Sequence, residues 1–191
     1  MTSRTRTANP WIQLVVLCAG FFMILLDTTV VQIAIPNIID NLHAPLDQIL
    51  WVVNAYVLVY AVLLITSGRL GDMFGQRNLF AIGLVIFTAA SAYCGLAPDT
   101  THLVAARVIQ GVGGALLTPQ TLAILTTLFP ADKRGAAFGI WGGVVGIAAV
   151  AGPTLGGFLV TSFNWRWIFF INVPVGVVTI IATFLLIPDV R

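Results

Sequence analysis

No glutamate occurs anywhere in the 191 residues, and Lys133 is the only lysine. Charged residues make up 8% of the chain, whereas soluble domains carry about a quarter. Hydrophobic residues make up 59%, and the mean hydropathy is +1.00. So little charge cannot clothe a water-soluble surface, and the apolar runs are too many and too long for one globular core. The two cysteines, Cys18 and Cys94, both fall inside such runs, so they read as small apolar fillers rather than as a disulfide or a metal site. His43 and His102 lie at the loops of one side and belong to no His-Glu-x-x-His or Cys/His cluster. No glycine-rich loop ends in Gly-Lys-Ser/Thr, and no glycine-serine nucleophile motif is present. The basic residues are too few and too scattered for a nucleic-acid surface. The sequence therefore reads as neither an enzyme nor a nucleic-acid binder, with no metal or organic cofactor expected.

What is present is the pattern of a polytopic, all-α membrane protein embedded in a lipid bilayer. A membrane helix needs about 20 apolar residues, and six segments qualify: 12–35, 49–67, 78–97, 102–128, 136–160 and 167–187. They leave a tail at 1–11 and a short end at 188–191. The basic start, MTSRTRTANP, resembles a signal sequence, but the run behind it is long and lacks a small-x-small cleavage site, so an uncleaved first span is expected. Arg4, Arg6, Arg69, Arg77, Lys133, Arg134 and Arg191 fall on one side of this layout. The other side holds Arg166 with Asp40, Asp47 and Asp99. The positive-inside rule then puts both termini in the cytoplasm. Trp11, Trp51, Trp165 and Trp167 lie near span ends, where interfacial anchoring is expected. Spans 1–3 and 4–6 also read as two triplets, each with one embedded charge in its first helix.

Those charges are Asp27 and Arg107, and each costs about 2.5–3.5 kcal/mol at a helix centre on insertion scales. At 1.5 Å per residue, Asp27 lies about 13 Å below Pro36 and Arg107 about 9 Å below Thr101, so the two can meet. Helical spacing puts Gln110, Gly111, Gly114 and Thr118 on the face of Arg107, and Met23 and Gly20 on that of Asp27. Small and polar residues suit a helix contact or a wet interior, not lipid. Thr28, Thr29 and Gln32 extend the polar stretch beside Asp27 and are candidate cavity-lining residues. Two roles stay open for the charges. They form a buried lock between helices, or Asp27 changes protonation, since burial favours a neutral carboxyl and a nearby arginine the charged one.

Between the second and third spans runs GRLGDMFGQR, residues 68–77. Gly68, Gly71 and Gly75 permit tight turns, and Asp72 stands between Arg69 and Arg77 as a carboxylate with two cations to choose from. This stretch resembles the signature loop between helices 2 and 3 of the major facilitator superfamily. RVIQGVGGA (107–115) resembles that family's helix 4 motif and AGPTLGG (151–157) its helix 5 antiporter motif. LDTTVVQIAIP (26–36) and WRWIFFINVPVG (165–176) resemble the helix 1 and helix 6 patterns of its fourteen-helix drug:proton antiporter branch. Two positions depart from the family: Gln76 replaces a basic residue, and Ala148 replaces a glycine. Ala148, Gly152 and Gly156 still make a small-xxx-small ridge, and Pro153 removes a donor and invites a kink.

The resemblance implies one six-helix half, two three-helix repeats, of a major facilitator fold. It implies a proton-linked role for Arg107 and a cytoplasmic gate around Asp72. It also implies a part for Gly152, Pro153, Gly156 and Gly157 in limiting leak and setting direction, although packing alone also accounts for that stretch. The expected activity is proton-coupled efflux of amphipathic small molecules by alternating access at the cell membrane. A proton gradient supplies the energy, and a second six-helix half completes the cavity. A truncated or non-transporting membrane subunit, or the same machine with a sugar, amino acid or siderophore as cargo, are the alternatives.

Overall fold

The computed structural model describes residues 9–188, and every regular element among them is a helix. Seven helices make six spans: α1 (Pro10–Leu42), α2 (Leu46–Phe74), α3 (Gln76–Leu96), α4 (Thr100–Leu128), α5 (Ala131–Ser162), and α6 (Trp167–Phe170) with α7 (Asn172–Leu186). All six are long and apolar enough to cross a membrane. The chain is a multi-pass membrane protein. The expected tail and end fall mostly in 1–8 and 189–191, outside the described residues, as do Arg4, Arg6 and Arg191.

Local chemistry sets the helix ends. Asn9 caps α1, its side chain accepting from the Trp11 amide at 3.0 Å, and Pro10 takes the first-turn position where no donor is needed. His43, in the left-handed conformation, closes the same helix. Arg134 donates to the Phe129 and Thr126 carbonyls at the end of α4, and Arg166 to those of Gly95 and Ala97 at the end of α3. A guanidinium at a helix C-terminus meets both unpaired carbonyls and the negative end of the dipole.

The helices run beyond the segments that hydropathy marks. Pro36 does not end α1, which continues six residues to Leu42. A single proline removes one intrahelical bond and stays tolerable inside a long membrane helix. The stretch 68–77 is likewise not a loop. Gly68 to Phe74 complete α2, and the turn is compressed into Gly75, whose φ of 91° favours glycine. The sixth span is interrupted at Ile171, three residues before Pro174, which cannot donate to the Phe170 carbonyl.

α4 packs along α3 and α2, α1 along α5, and α7 against α3 and α1. Exchanging the triplets leaves this neighbour pattern unchanged: α1 with α5 becomes α4 with α2, and α3 with α4 becomes the sixth span with α1. Two apolar clusters fill the interior. One gathers Leu17, Phe21, Phe80, Phe87 and Leu125, the other Val31, Ile38, Ile49, Leu103 and Phe169. Trp165 belongs to the second cluster and is 1% exposed, so it is a core residue and not an interfacial anchor. Trp11, Trp51 and Trp167 do stand at the surface.

Candidate functional site

Where the two apolar clusters meet lies a knot of polar side chains. Arg107 Nη1 donates to Asp27 Oδ2 at 2.5 Å, joining α4 to α1, with both side chains almost fully sealed. Arg107 Nε donates to the Val52 carbonyl of α2 at 3.0 Å, and the same Nη1 to Gln110 Oε1 at 2.7 Å. The guanidinium also lies over the Tyr56 ring at 4.2 Å and that of Phe169 at 5.9 Å, aromatic faces that favour a cation. Asp27 Oδ1 accepts from Gln110 Nε2 at 2.9 Å and Asn172 Nδ2 at 3.3 Å. Ser91 of α3 accepts from Asn172 at 3.0 Å and donates to the Phe169 carbonyl at 2.9 Å. Cys94 Sγ donates to Gln110 Oε1 at 3.6 Å, so it is more than an apolar filler. A carboxylate with three donors and a guanidinium with two side-chain acceptors and a carbonyl satisfy the condition for burying charge.

The remaining residues singled out from sequence distribute around this knot unevenly. Gly111 and Gly114 make helix contacts: an added Cβ would lie 2.8 Å from the Tyr56 carbonyl and 3.1 Å from the Tyr56 hydroxyl. Thr118 accepts from the Tyr60 hydroxyl at 3.0 Å and donates to the Gly114 carbonyl. Thr28 and Thr29 turn their hydroxyls back to the Leu25 and Leu26 carbonyls. Gln32 is exposed. Ala148, Gly152 and Gly156 form the ridge of α5 that packs on α1, with Gly152 against Thr29 and Gly156 against Val30 and Ile33. Pro153 is exposed, and Gly157 has nothing within 4 Å.

The stretch 68–77 also resolves into separate contacts. Asp72 and Arg69 are exposed, and among the described residues Asp72 forms an ion pair with neither Arg69 nor Arg77. Arg77 instead donates to the Ile187 carbonyl at 3.3 Å and lies 6.0 Å from the Phe184 ring, bracing the end of α7. Gly71 is buried against Gln120 of α4, whose amide donates to the Ser67 carbonyl at 2.8 Å. Sequence reading missed Asn172, Ser91, Tyr56 and Gln120. Asn172 and Gln120 carried a usable signal, being amides inside apolar runs like Gln110. Ser91 and Tyr56 carried none, since both residue types are ordinary in membrane helices. Among the described residues, no group of three or more His, Cys, Asp or Glu side chains converges to hold a metal ion.

The model of the Major Facilitator Superfamily matches residues 17–191. The chain is 53% identical over 180 residues to an uncharacterized MFS-type transporter of Mycobacterium tuberculosis, covering 94% of this chain and 31% of that protein. It is 44% identical over 183 residues to the tetracenomycin C resistance and export protein of Streptomyces glaucescens, covering 96% of this chain and 34% of the relative. With the multidrug transporter protein MdtP of Bacillus subtilis it shares 38% identity over 165 residues, 86% of this chain and 30% of that one. The chain thus spans about a third of the length of these relatives. Among solved structures, a bacterial homolog of the human lysosomal transporter Spinster, inward-facing and occupied, superposes with a TM-score of 0.81 at 22% identity. That match covers 92% of this chain and 44% of the other and speaks to the fold.

Proposed function

The chain belongs to the Major Facilitator Superfamily, and we propose from that premise that it is the first six-helix half of a proton-coupled exporter of amphipathic small molecules. Asp27 is the group that gains and loses the proton, and the sealed Asp27–Arg107 pair is the observation that carries this reading. With Asp27 ionised the pair is neutral and fully hydrogen-bonded. Protonation leaves Arg107 as a buried cation without its counter-charge, a loss worth about 3–5 kcal/mol. Moving a two-state equilibrium from 1:99 to 99:1 takes about 5.5 kcal/mol, so one proton here supplies more than half of such a shift. A proton gradient then supplies the energy, with no bound cofactor. The names of the antibiotic and multidrug relatives support small-molecule export.

A second six-helix half completes the cavity by this reading, and substrate is exposed alternately to either side by rocking of the halves. Support comes from the relatives' greater length and from α5, where Gly139, Gly142 and Gly146 share one helix face with nothing within 4 Å. The localisation that fits is the cell membrane with both termini cytoplasmic. Arg69, Arg77, Lys133 and Arg134 all lie at the helix links of one end.

The test is efflux driven by an imposed proton gradient in the complete transporter carrying this half. Asp27→Asn, nearly isosteric but unable to titrate, is expected to abolish proton-dependent efflux, and Arg107→Ala to do the same. Unchanged efflux in both variants overturns the coupling role.

A further inference from the structure

Two amide side chains, Gln110 and Asn172, straddle the same pair of oxygens. Gln110 Nε2 lies 2.9 Å from Asp27 Oδ1 and 3.4 Å from Ser91 Oγ, while Asn172 Nδ2 lies 3.3 and 3.0 Å from them. Each NH₂ carries two hydrogens, so each donates to both. Ser91 spends its own hydrogen on the Phe169 carbonyl, which leaves its oxygen as an acceptor for both amides. Asp27 Oδ1 therefore faces donors only.

That arrangement fits a carboxylate and conflicts with a carboxylic acid. A proton on Oδ1 points an O–H at an N–H unless one amide turns its oxygen inward. Gln110 is held, because its Oε1 already accepts from Arg107 and Cys94. Among the described residues, Asn172 Oδ1 accepts no hydrogen bond, and the Asn172–Asp27 bond is the longer of the two. Asn172 is also the first residue of α7, directly after the interruption at Ile171.

We propose that Asn172 and Ser91 read the protonation state of Asp27 and relay it to the sixth span by exchanging hydrogen bonds. When Oδ1 takes up a proton, the Asn172 amide turns and accepts that O–H. The Ser91 hydroxyl then swings its hydrogen from the Phe169 carbonyl to the turned Asn172 oxygen. No bond to carbon changes and no further proton is exchanged. The Phe169 carbonyl, at the break between α6 and α7, loses its tie to α3. The titratable groups facing Asp27 are Arg107 from α4, Tyr56 from α2 and Cys94 from α3. The α5, α6 and α7 helices present none to it. Asn172 and Ser91 are positioning residues, and the proposal rests on Asp27 being the proton site.

The experiment is an infrared pH titration of the chain in liposomes, following the carboxyl band that Asp27→Asn removes. Losing a donor to the carboxylate favours its neutral form, so Asn172→Ala is expected to raise the titration midpoint by on the order of one pH unit, and Ser91→Ala, which takes the partner hydroxyl from Asn172 and touches Asp27 only through it, is expected to move the midpoint as well. A fluorophore on Val175→Cys, an exposed site on α7, is expected to follow the parent's midpoint and to lose its pH response in Ser91→Ala. Ser91→Ala removes one atom, so it serves if Asn172→Ala does not fold. An Asp27 band whose midpoint is unchanged in both variants overturns the relay and leaves the proton site standing. Absence of an Asp27 band at every pH overturns both. Lower thermal stability at an unmoved midpoint marks a merely structural role and also counts against the relay.

Discussion

The α4 and α5 helices are similar in length, glycine-rich and interrupted by one proline each, yet their glycines meet opposite surroundings. In α4, an added Cβ on Gly111 would lie 2.8 Å from the Tyr56 carbonyl of α2, and one on Gly113 would lie 2.6 Å from the Phe87 nitrogen of α3. Both obstacles are backbone, so α4 is clasped from two sides. In α5, Gly152 and Gly156 pack on α1, but Gly135, Gly139, Gly142, Gly143 and Gly146 have nothing within 4 Å. Lipid chains exert no pull that favours small residues, whereas helix contacts do. Small-residue spacing marks a helix for close approach, then, without saying whether its partner lies in the same bundle. The glycines of α4 are enclosed by two neighbours, whereas α5 packs two of its glycines on α1 and leaves one face open.

The sharpest way to break this comparison is through charge. Arg107→Ala leaves Asp27 buried without its partner and is expected to destabilise the bundle by about 3–5 kcal/mol. Lys133→Ala, on the exposed first turn of α5, is expected to change stability by less than about 0.5 kcal/mol. Denaturation of the reconstituted chain measures both, and equal losses would erase the distinction between the helices. Next come the glycines. Gly113→Ala forces α3 and α4 apart, at a cost of about 1–3 kcal/mol. Gly142→Ala meets no neighbour and is expected to be neutral or to stabilise the chain by up to about 1 kcal/mol through helix propensity. The comparison therefore predicts opposite signs for the same substitution.

How legible this was depends on what each residue signals locally. Six spans followed from hydropathy because the bilayer imposes a length, and the Asp27–Arg107 contact was foreseeable because few partners exist for a buried charge. Helix ends were less legible. Hydropathy falls at Pro36 and at Gly68 while the backbone continues as helix, since polar residues at a membrane surface are free to stay helical. Partners such as Ser91 and Tyr56 were invisible, because only the crossing of α2, α3 and α4 decides which ordinary side chain reaches the charge. The exposed state of Asp72 was equally unreadable: a carboxylate between two arginines in sequence need not lie between them when all three ride on helices.

A smaller effect is expected from closing the open face of α5. Gly142→Leu or Gly146→Leu leaves the isolated chain's melting unchanged but lowers efflux in the complete transporter, because the added side chain blocks a second half from approaching. Efflux at the parent's level in both variants would assign that face to lipid.

The smallest effect lies where the two helices begin. Asp99 caps α4, accepting from the His102 amide at 2.9 Å, while α5 starts at Pro130 with no side-chain cap. That amide bond, with the His102 ring nitrogen also 2.9 Å away, holds the Asp99 carboxyl below its ordinary value. A group whose folded-state pKa is depressed contributes stability that is present above its unfolded value and is lost as pH falls through the folded one. Acidification below the usual carboxylate range should thus fray the first turn of α4, raising amide exchange at His102 and Leu103 beyond the intrinsic pH effect. Asp99→Asn caps a helix about as well as aspartate but does not titrate, so its first turn should hold across the same range. Matching exchange profiles for parent and variant would show that the carboxylate's charge has no part in starting α4.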